Sequence, residues 1–434
     1  MTATISGADN APTGTPRVAG LILSAYQCGP GMGSVSQIGW EWYSRLAGRI
    51  PLLLVTHVRN RAALAGAGAP LPGTEVLYVD TEWFAGPLYR LACRLFPRSE
   101  HPVFLISSLD YYVYDAMARR VLARRMKQGA SWRIVHQPTP VSPLATSSLH
   151  RLGLPLILGP WNGGLRSPGN FPELMKAESG WLYPIRYLGR LIDFLQGATR
   201  RARLILTATR ATREAIPERW RSKCHDMLEN GVDLNVFRAS SWPAPPSASR
   251  PLRILYVGRL LPLKGVAMLV DAIARMDGRL PVRLDIVGGG SEEAPLRERV
   301  ARLNVGDRVV FHGALPHPRI AELLREAHAF CLPSVRESGG AVLLEAMAAA
   351  RPVIAIAHGG PAELVDGAVG ALIPAAGWEP VVTDLTRILT DIVSDPETWR
   401  ERGLAGRRRV EERYSWPAKI DAALALYRQC LELP

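Results

Sequence analysis

Short, continuous apolar runs alternate with helix-like segments over nearly the whole chain. In the first half the runs are VAGLILSA, IPLLLVT, TEVLYVD, PVFLISS, WRIVHQ, LPLILG and RLILTAT. In the second they are LRILYVG, VRLDIVG, RVVFHG, HAFCLP, RPVIAIA and VGALIP. Apolar on both sides and separated by amphipathic stretches, they predict buried strands of parallel sheets with helices on both faces. Each half therefore reads as a doubly wound α/β unit. Between them, Ala239 to Pro251 (ASSWPAPPSASRP) is rich in Pro, Ser and Ala and predicts a linker. The segment from Trp416 onward predicts a helix entered through Pro417. The expected order is a tail at 1–16, a first domain at 17–238, a linker at 239–251, a second domain at 252–415 and a closing helix at 416–434. Two such units facing each other would enclose a cleft at the carboxyl ends of their strands, where open α/β sheets bind ligands.

Composition supports two globular domains. The 434 residues exceed what one core organises. The chain is 47% hydrophobic and 21% charged, and runs such as PLLLV are too short to cross a bilayer. The first sixteen residues are small and polar, expected as a loose tail rather than a signal peptide. Cys28, Cys93, Cys224, Cys331 and Cys430 follow no CxxC or metal spacing, which predicts free thiols in a reducing cytoplasm and no metal site. Charge changes the picture more. Of the net +13, residues 1–240 hold 28 Lys+Arg against 16 Asp+Glu, and residues 241–434 hold 24 against 23. The first half is thus expected to meet a polyanion: nucleic acid, an anionic membrane surface or an acidic substrate. An Arg-rich genome is the plainer source of the same excess.

Candidate chemistry falls at predicted strand ends. In VRESGGAVLLEA, Glu337 and Glu345 stand eight positions apart, with Ser338, Gly339 and Gly340 just after the first. A helix is expected from Ala341 to Ala350, its N-terminus and the glycine N–H groups favouring a phosphate and each carboxylate accepting from sugar hydroxyls. In ILYVGRLLPLKG, Arg259 and Lys264 follow a strand and together suit a diphosphate. The glycines of LDIVGGGSEE, including Gly289 and Gly290, permit close approach of a nucleotide. Gly31 and Gly33 in GPGMGS form a loop at the cleft, and Ser34 breaks the dinucleotide-binding pattern. His136 is expected at a strand end facing the cleft, and LGPWNGGLRSPGN as an acceptor-side loop.

Taken in order, GPGMGS, ENGVD, VGRLLPLKG, VGGGSE, FHGALP, ESGGAVLLE and GGPAELV resemble the GT-B-fold retaining glycosyltransferases of family 4 (glycosyl transferases group 1). Glu337 and Glu345 match that family's E-x7-E motif. The resemblance implies an α/β GT-B fold of two doubly wound Rossmann-like domains facing a central cleft. It implies transfer of a sugar from a nucleotide diphosphate sugar, with retention and without an obligatory metal or other cofactor. By position, Arg259 and Lys264 would stabilise the leaving diphosphate and Glu345 would hold the ribose. Glu337, with Ser338, Gly339 and Gly340, would hold the donor sugar. His136 would lie near that sugar, and the Gly31–Gly33 loop near the phosphates. The last helix would return to the first domain. Many members carry an aromatic after the first glutamate, where this chain has Ser338-Gly339-Gly340.

Rival classes fit less well. An epimerase of the same fold needs acid/base carboxylates at the sugar ring, and no convincing set is present. A nucleic-acid-binding protein would use the charge, but no recognised module is visible. The segment from Glu178 to Leu206 interleaves aromatic and aliphatic residues with arginines. With the basic first half, this predicts a cytoplasmic enzyme on the anionic inner face of a membrane, acting on a glycan or lipid-linked acceptor in polysaccharide or glycoconjugate synthesis.

Overall fold

The computed structural model describes residues 20–97, 103, 106–165, 168–175 and 183–432. The chain divides into two compact units. The first comprises Met1–Gly163, Ser179–Glu229 and Ile420–Pro434; the second comprises Gly164–Glu178 and Asn230–Lys419.

The first unit is built on β1 (Leu21–Ala25), β2 (Leu52–His57), β3 (Thr74–Val79), β4 (Ile134–Thr139), β5 (Leu156–Trp161), β6 (Leu204–Thr207) and β7 (Cys224–Asp226). These lie in the order β3-β2-β1-β4-β5-β6-β7, and every pairing is parallel. Strands β1, β2, β4 and β5 are buried along their whole length; this matches the largely apolar runs of β1 and β5, whereas β2 and β4 also bury polar side chains at Thr56, His57, His136, Gln137 and Thr139. In the expected strand PVFLISS, the described residues depart from a strand: Val103, Ile106 and Ser107 are helical and Ser108 lies in a turn. Strand β7 is not legible in the sequence, because three residues, two of them exposed, carry no periodic signal.

The second unit holds β8 (Leu252–Val257), β9 (Val282–Val287), β10 (Val309–Gly313), β11 (Ala329–Leu332), β12 (Val353–Ile356) and β13 (Gly370–Ile373). They are parallel in the order β10-β9-β8-β11-β12-β13. All six apolar runs of the second half became strands. The order reverses direction between β8 and β11, and likewise between β1 and β4 in the first unit. At such a switch point neighbouring connections leave to opposite faces and open a crevice at the strand ends.

The Ala239–Pro251 stretch is not a free linker. It packs in the second unit, which begins at Asn230. The Trp242 indole donates to the His328 carbonyl at 2.8 Å, and His328 Nε2 bonds the Ala244 carbonyl at 3.1 Å. The buried Arg351 guanidinium donates to the carbonyls of Ser240 and Ser241 at 3.1 and 2.9 Å. A buried guanidinium needs several acceptors, and an irregular segment with unpaired carbonyls supplies them. The closing helix runs from Trp416 to Glu432, and its residues from Ile420 onward cluster with the first unit.

Candidate functional site

The strand ends of the second unit bring the charged candidates together. After β8, Gly258 and Arg259 lead into a single 3-10 turn, Pro262–Lys264, and then into a helix at Val266. After β11, Pro333 to Ser338 lead to the helix Ala341–Ala348, two residues shorter than expected. The two loops are tied by backbone bonds. Val335 N–H donates to the Leu263 carbonyl at 3.0 Å, and Ser334 Oγ to the same carbonyl at 3.2 Å. Lys264 Nζ thereby meets Glu337 Oε2 at 2.5 Å, with both side chains mostly shielded from solvent. Lys264 and Glu337 stand on either side of the β8/β11 switch point.

Arg259 is exposed on the same rim. Its backbone is held from below, where the buried Tyr256 hydroxyl donates to the Arg259 carbonyl at 3.0 Å. Burial, and next the Glu337 carboxylate, push the Tyr256 hydroxyl far above its ordinary value, so it stays a donor. Arg259 and Lys264 therefore differ in kind: one is a solvated guanidinium, the other an ammonium already sharing its protons with a carboxylate.

The glycines of the β9 turn do other work than sequence reasoning assigned. Gly288 has φ +130° and Gly290 φ +154°; a Cβ on either would meet the carbonyl of Gly258 at 1.9 Å or of Leu260 at 2.2 Å. Gly258 N–H donates to Val287 and Leu260 N–H to Gly289, at 3.0 and 2.9 Å. Gly290 thus braces the Arg259 turn, and Gly289 has its Cβ direction open apart from Glu293 Oε2 at 3.9 Å.

Gly340 caps the helix in the left-handed region at φ +65°, while Gly339 and Gly340 are buried and Ser338 is half-buried. Glu345 lies one turn into that helix. Although part of the residue remains accessible, burial lifts its carboxyl to about 8. The two glutamates are thus unlike: Glu337 is an ion-paired carboxylate, and Glu345 holds its proton at neutral pH. This corrects the expectation of two ionised acceptors; Glu345 can also donate.

Of two flanking pieces, the first was not read from the sequence as part of the site, and the second only up to Asn170, as an acceptor-side loop. Gly360 N–H donates to the Glu337 carbonyl at 3.0 Å, and the absence of side chains at Gly359 and Gly360 lets the Glu337 and Ser338 carbonyls approach. The signal was GGPAELV, used only for its likeness. The stretch Gly164–Glu178, expected in the first domain, belongs to the second unit. There Pro172–Met175 packs on the Pro262–Lys264 turn, and Asn170 Nδ2 donates to the Ala375 carbonyl at 2.9 Å.

In the first unit, Gly31 (φ +73°) and Gly33 (φ +101°) shape an exposed loop after β1, ahead of the helix Ser34–Leu46. His136 departs from expectation. It is the third residue of β4, fully buried and not at the strand end. Its Nε2 lies 2.6 Å from the Gly159 carbonyl and its Nδ1 2.6 Å from the Tyr427 hydroxyl, with the Trp42 ring edge-on at 4.7 Å. Because Gly159 O only accepts, Nε2 donates and Nδ1 accepts from Tyr427. Both ring nitrogens are engaged inside the core, so His136 joins the closing helix to the sheet and is not offered to a ligand.

This architecture is the GT-B fold. Sucrose-phosphate synthase from Thermosynechococcus elongatus aligns over 95% of this chain and 98% of its own, at a TM-score of 0.59 and 21% identity. HepE of Anabaena, solved in complex with UDP, aligns over 94% and 99%, at 0.58 and 17%. At the level of sequence, residues 242–405 match the family described as glycosyl transferases group 1. The D-inositol 3-phosphate glycosyltransferase of Kribbella flavida is 35% identical over 222 residues, 48% of this chain and 51% of that protein. The chain therefore spans about half the length of this curated relative.

Proposed function

We propose that the protein is a retaining, metal-independent glycosyltransferase that moves a sugar from a nucleoside diphosphate sugar to a hydroxyl of a glycan or lipid-linked acceptor. The observation that carries this reading is the Lys264–Glu337 pair at the β8/β11 switch point, at 2.5 Å and beside exposed Arg259. Breaking the anomeric C–O bond puts negative charge on the diphosphate and positive charge on the sugar. Fixed cations next to the first stabilise the transition state more than the ground state. An ammonium has three N–H donors, so Lys264 can keep Glu337 and still donate to a phosphate. Glu337, neutralised by Lys264, accepts from donor hydroxyls, and Glu345 meets the ribose as a protonated acid. Retention follows if the acceptor hydroxyl attacks from the face the diphosphate leaves, its proton passing to the departing phosphate oxygen.

A membrane surface is part of this reading. Of the eleven large hydrophobic residues exposed among the described residues, Trp83, Tyr89, Leu91 and Leu95 lie on one helix of the first unit and Leu191, Phe194 and Leu195 on another. The second helix, Tyr183–Gln196, belongs to the aromatic and arginine-rich segment noted in the sequence; Trp181 and Leu182 lie outside the described residues. Among the described residues no helix is long and apolar enough to cross a membrane.

The test is a thermal-shift series with UDP-, GDP- and ADP-sugars, followed by product analysis. A UDP-sugar is the first choice, since the similar HepE was solved with UDP. A bound donor raises the melting temperature by mass action, and the product's anomeric configuration reads retention directly. If no nucleotide sugar shifts the melt, the proposal fails; if only a chelator-sensitive activity appears, its metal-free part fails.

A further inference from the structure

The helix Glu82–Leu95 carries an exposed apolar stripe. Its fully buried residues are two alanines, Ala85 and Ala92, while Trp83 (67% exposed), Leu91 (53%) and Leu95 (60%) face solvent. At about 100° per residue, Trp83, Pro87, Leu91 and Leu95 form one i, i+4 stripe, and Arg90 and Arg94 fall within about 20° of Trp83 on the same outer face. Both arginines are exposed. A helix that needs only to cover its own sheet puts its large apolar residues inward. Here Ala85 and Ala92 let the helix lie close on the unit and Phe84 and Leu88 are half-buried, while Trp83, Leu91 and Leu95 are left facing outward. An indole, two leucines and two guanidiniums interleaved on one face match the interface of a bilayer, with rings and aliphatic chains at headgroup depth and cations on lipid phosphates.

We propose that the outer face of Glu82–Leu95 docks on an anionic lipid leaflet. Charge complementarity selects this occupant: residues 1–240, Arg90 and Arg94 among them, hold 28 Lys+Arg against 16 Asp+Glu. The inference deepens the membrane part of the proposed function by naming the element that makes contact.

The experiment is flotation of the full chain with vesicles of phosphatidylcholine alone or mixed with phosphatidylglycerol, at low and high salt. The wild type should float with the anionic vesicles only, and less at high salt. Trp83→Ser/Leu91→Ser/Leu95→Ser should lower the bound fraction by about tenfold or more, since three apolar side chains leave the lipid. Arg90→Gln/Arg94→Gln should lower binding and weaken its salt dependence. All substitutions are on exposed positions, and each variant's melting temperature is measured alongside. Unchanged binding of both variants overturns the proposal, as does failure of the wild type to bind at low salt. So does a concentration-dependent dimer that the triple variant abolishes, which would assign the face to a second copy of this chain. Donor-induced thermal shifts should be the same in all three proteins. Loss of those shifts in the wild type would strike the glycosyltransferase reading alone and leave the vesicle result standing.

Discussion

Lys264 Nζ and Glu337 Oε2 lie 2.5 Å apart across 73 positions of sequence. The contact exists because β8 and β11 are neighbours in the sheet, so that loops from opposite sides of a switch point converge. It makes each residue's role conditional on the other. Lys264→Ala would leave Glu337 a shielded carboxylate without its cation, and Glu337→Gln would leave Lys264 without its counter-ion.

Sugar transfer should therefore fall by roughly 10²–10³-fold in Lys264→Ala and in Arg259→Ala, by comparison with loss of one donor at a developing anion. Arg259→Lys should recover only part, because the planar fork is lost. Steady-state kinetics of the purified variants decide this; turnover at the wild-type rate in both alanine variants would remove the pair from the chemistry.

Glu345 should make stability depend on pH. Its carboxyl is raised from 4.5 to about 8 in the fold, so the native state binds the proton more tightly than the unfolded chain. The sign follows: the stabilisation is complete below about pH 4.5 and is lost as pH rises through about 8. Melting temperature should decline over that window, and Glu345→Gln should flatten the decline. An equal slope in both proteins would show that the carboxyl is not held protonated.

Gly290→Ala should loosen the Arg259 turn from behind. The new Cβ would lie 2.2 Å from the Leu260 carbonyl, at a φ that side chains rarely adopt. A cost of about 1–3 kcal/mol is expected for the backbone conformation alone. Chemical denaturation measures it, and donor affinity should fall in the same variant. A melt and affinity equal to wild type would mean that the turn tolerates the displacement.

Tyr427→Phe separates the structural from the catalytic role of His136. Removing a buried hydroxyl that partners His136 Nδ1 at 2.6 Å should cost about 1–3 kcal/mol of stability. Turnover per folded molecule should be unchanged. A large fall in kcat with the melt intact would return His136 to the reaction.

The α/β class was written in the chain, because strands buried on both faces must be apolar throughout and such runs are visible without a structure. All six runs of the second half, from LRILYVG to VGALIP, became strands, although the edge strands β10 and β13 are only partly buried. The run PVFLISS was as apolar, yet its described residues depart from a strand, since periodicity in a short stretch does not separate strand from helix. The positions of Arg259, Lys264, Glu337 and Glu345 at strand ends or a helix start were legible as well, because glycines and helix formers mark those boundaries locally. What they do to one another was not. The pairing of Lys264 with Glu337, the proton held by Glu345 and the bracing of the Arg259 turn by Gly290 all depend on contacts between segments distant in sequence. His136 shows the limit most plainly: its strand could be read, but its burial between Gly159 and Tyr427 is set by a helix 291 positions away. Local sequence determines which segments form strands and where chemistry-bearing side chains leave them. Burial, charge partners and protonation are properties of the assembled neighbourhood, and only the tertiary structure decides them.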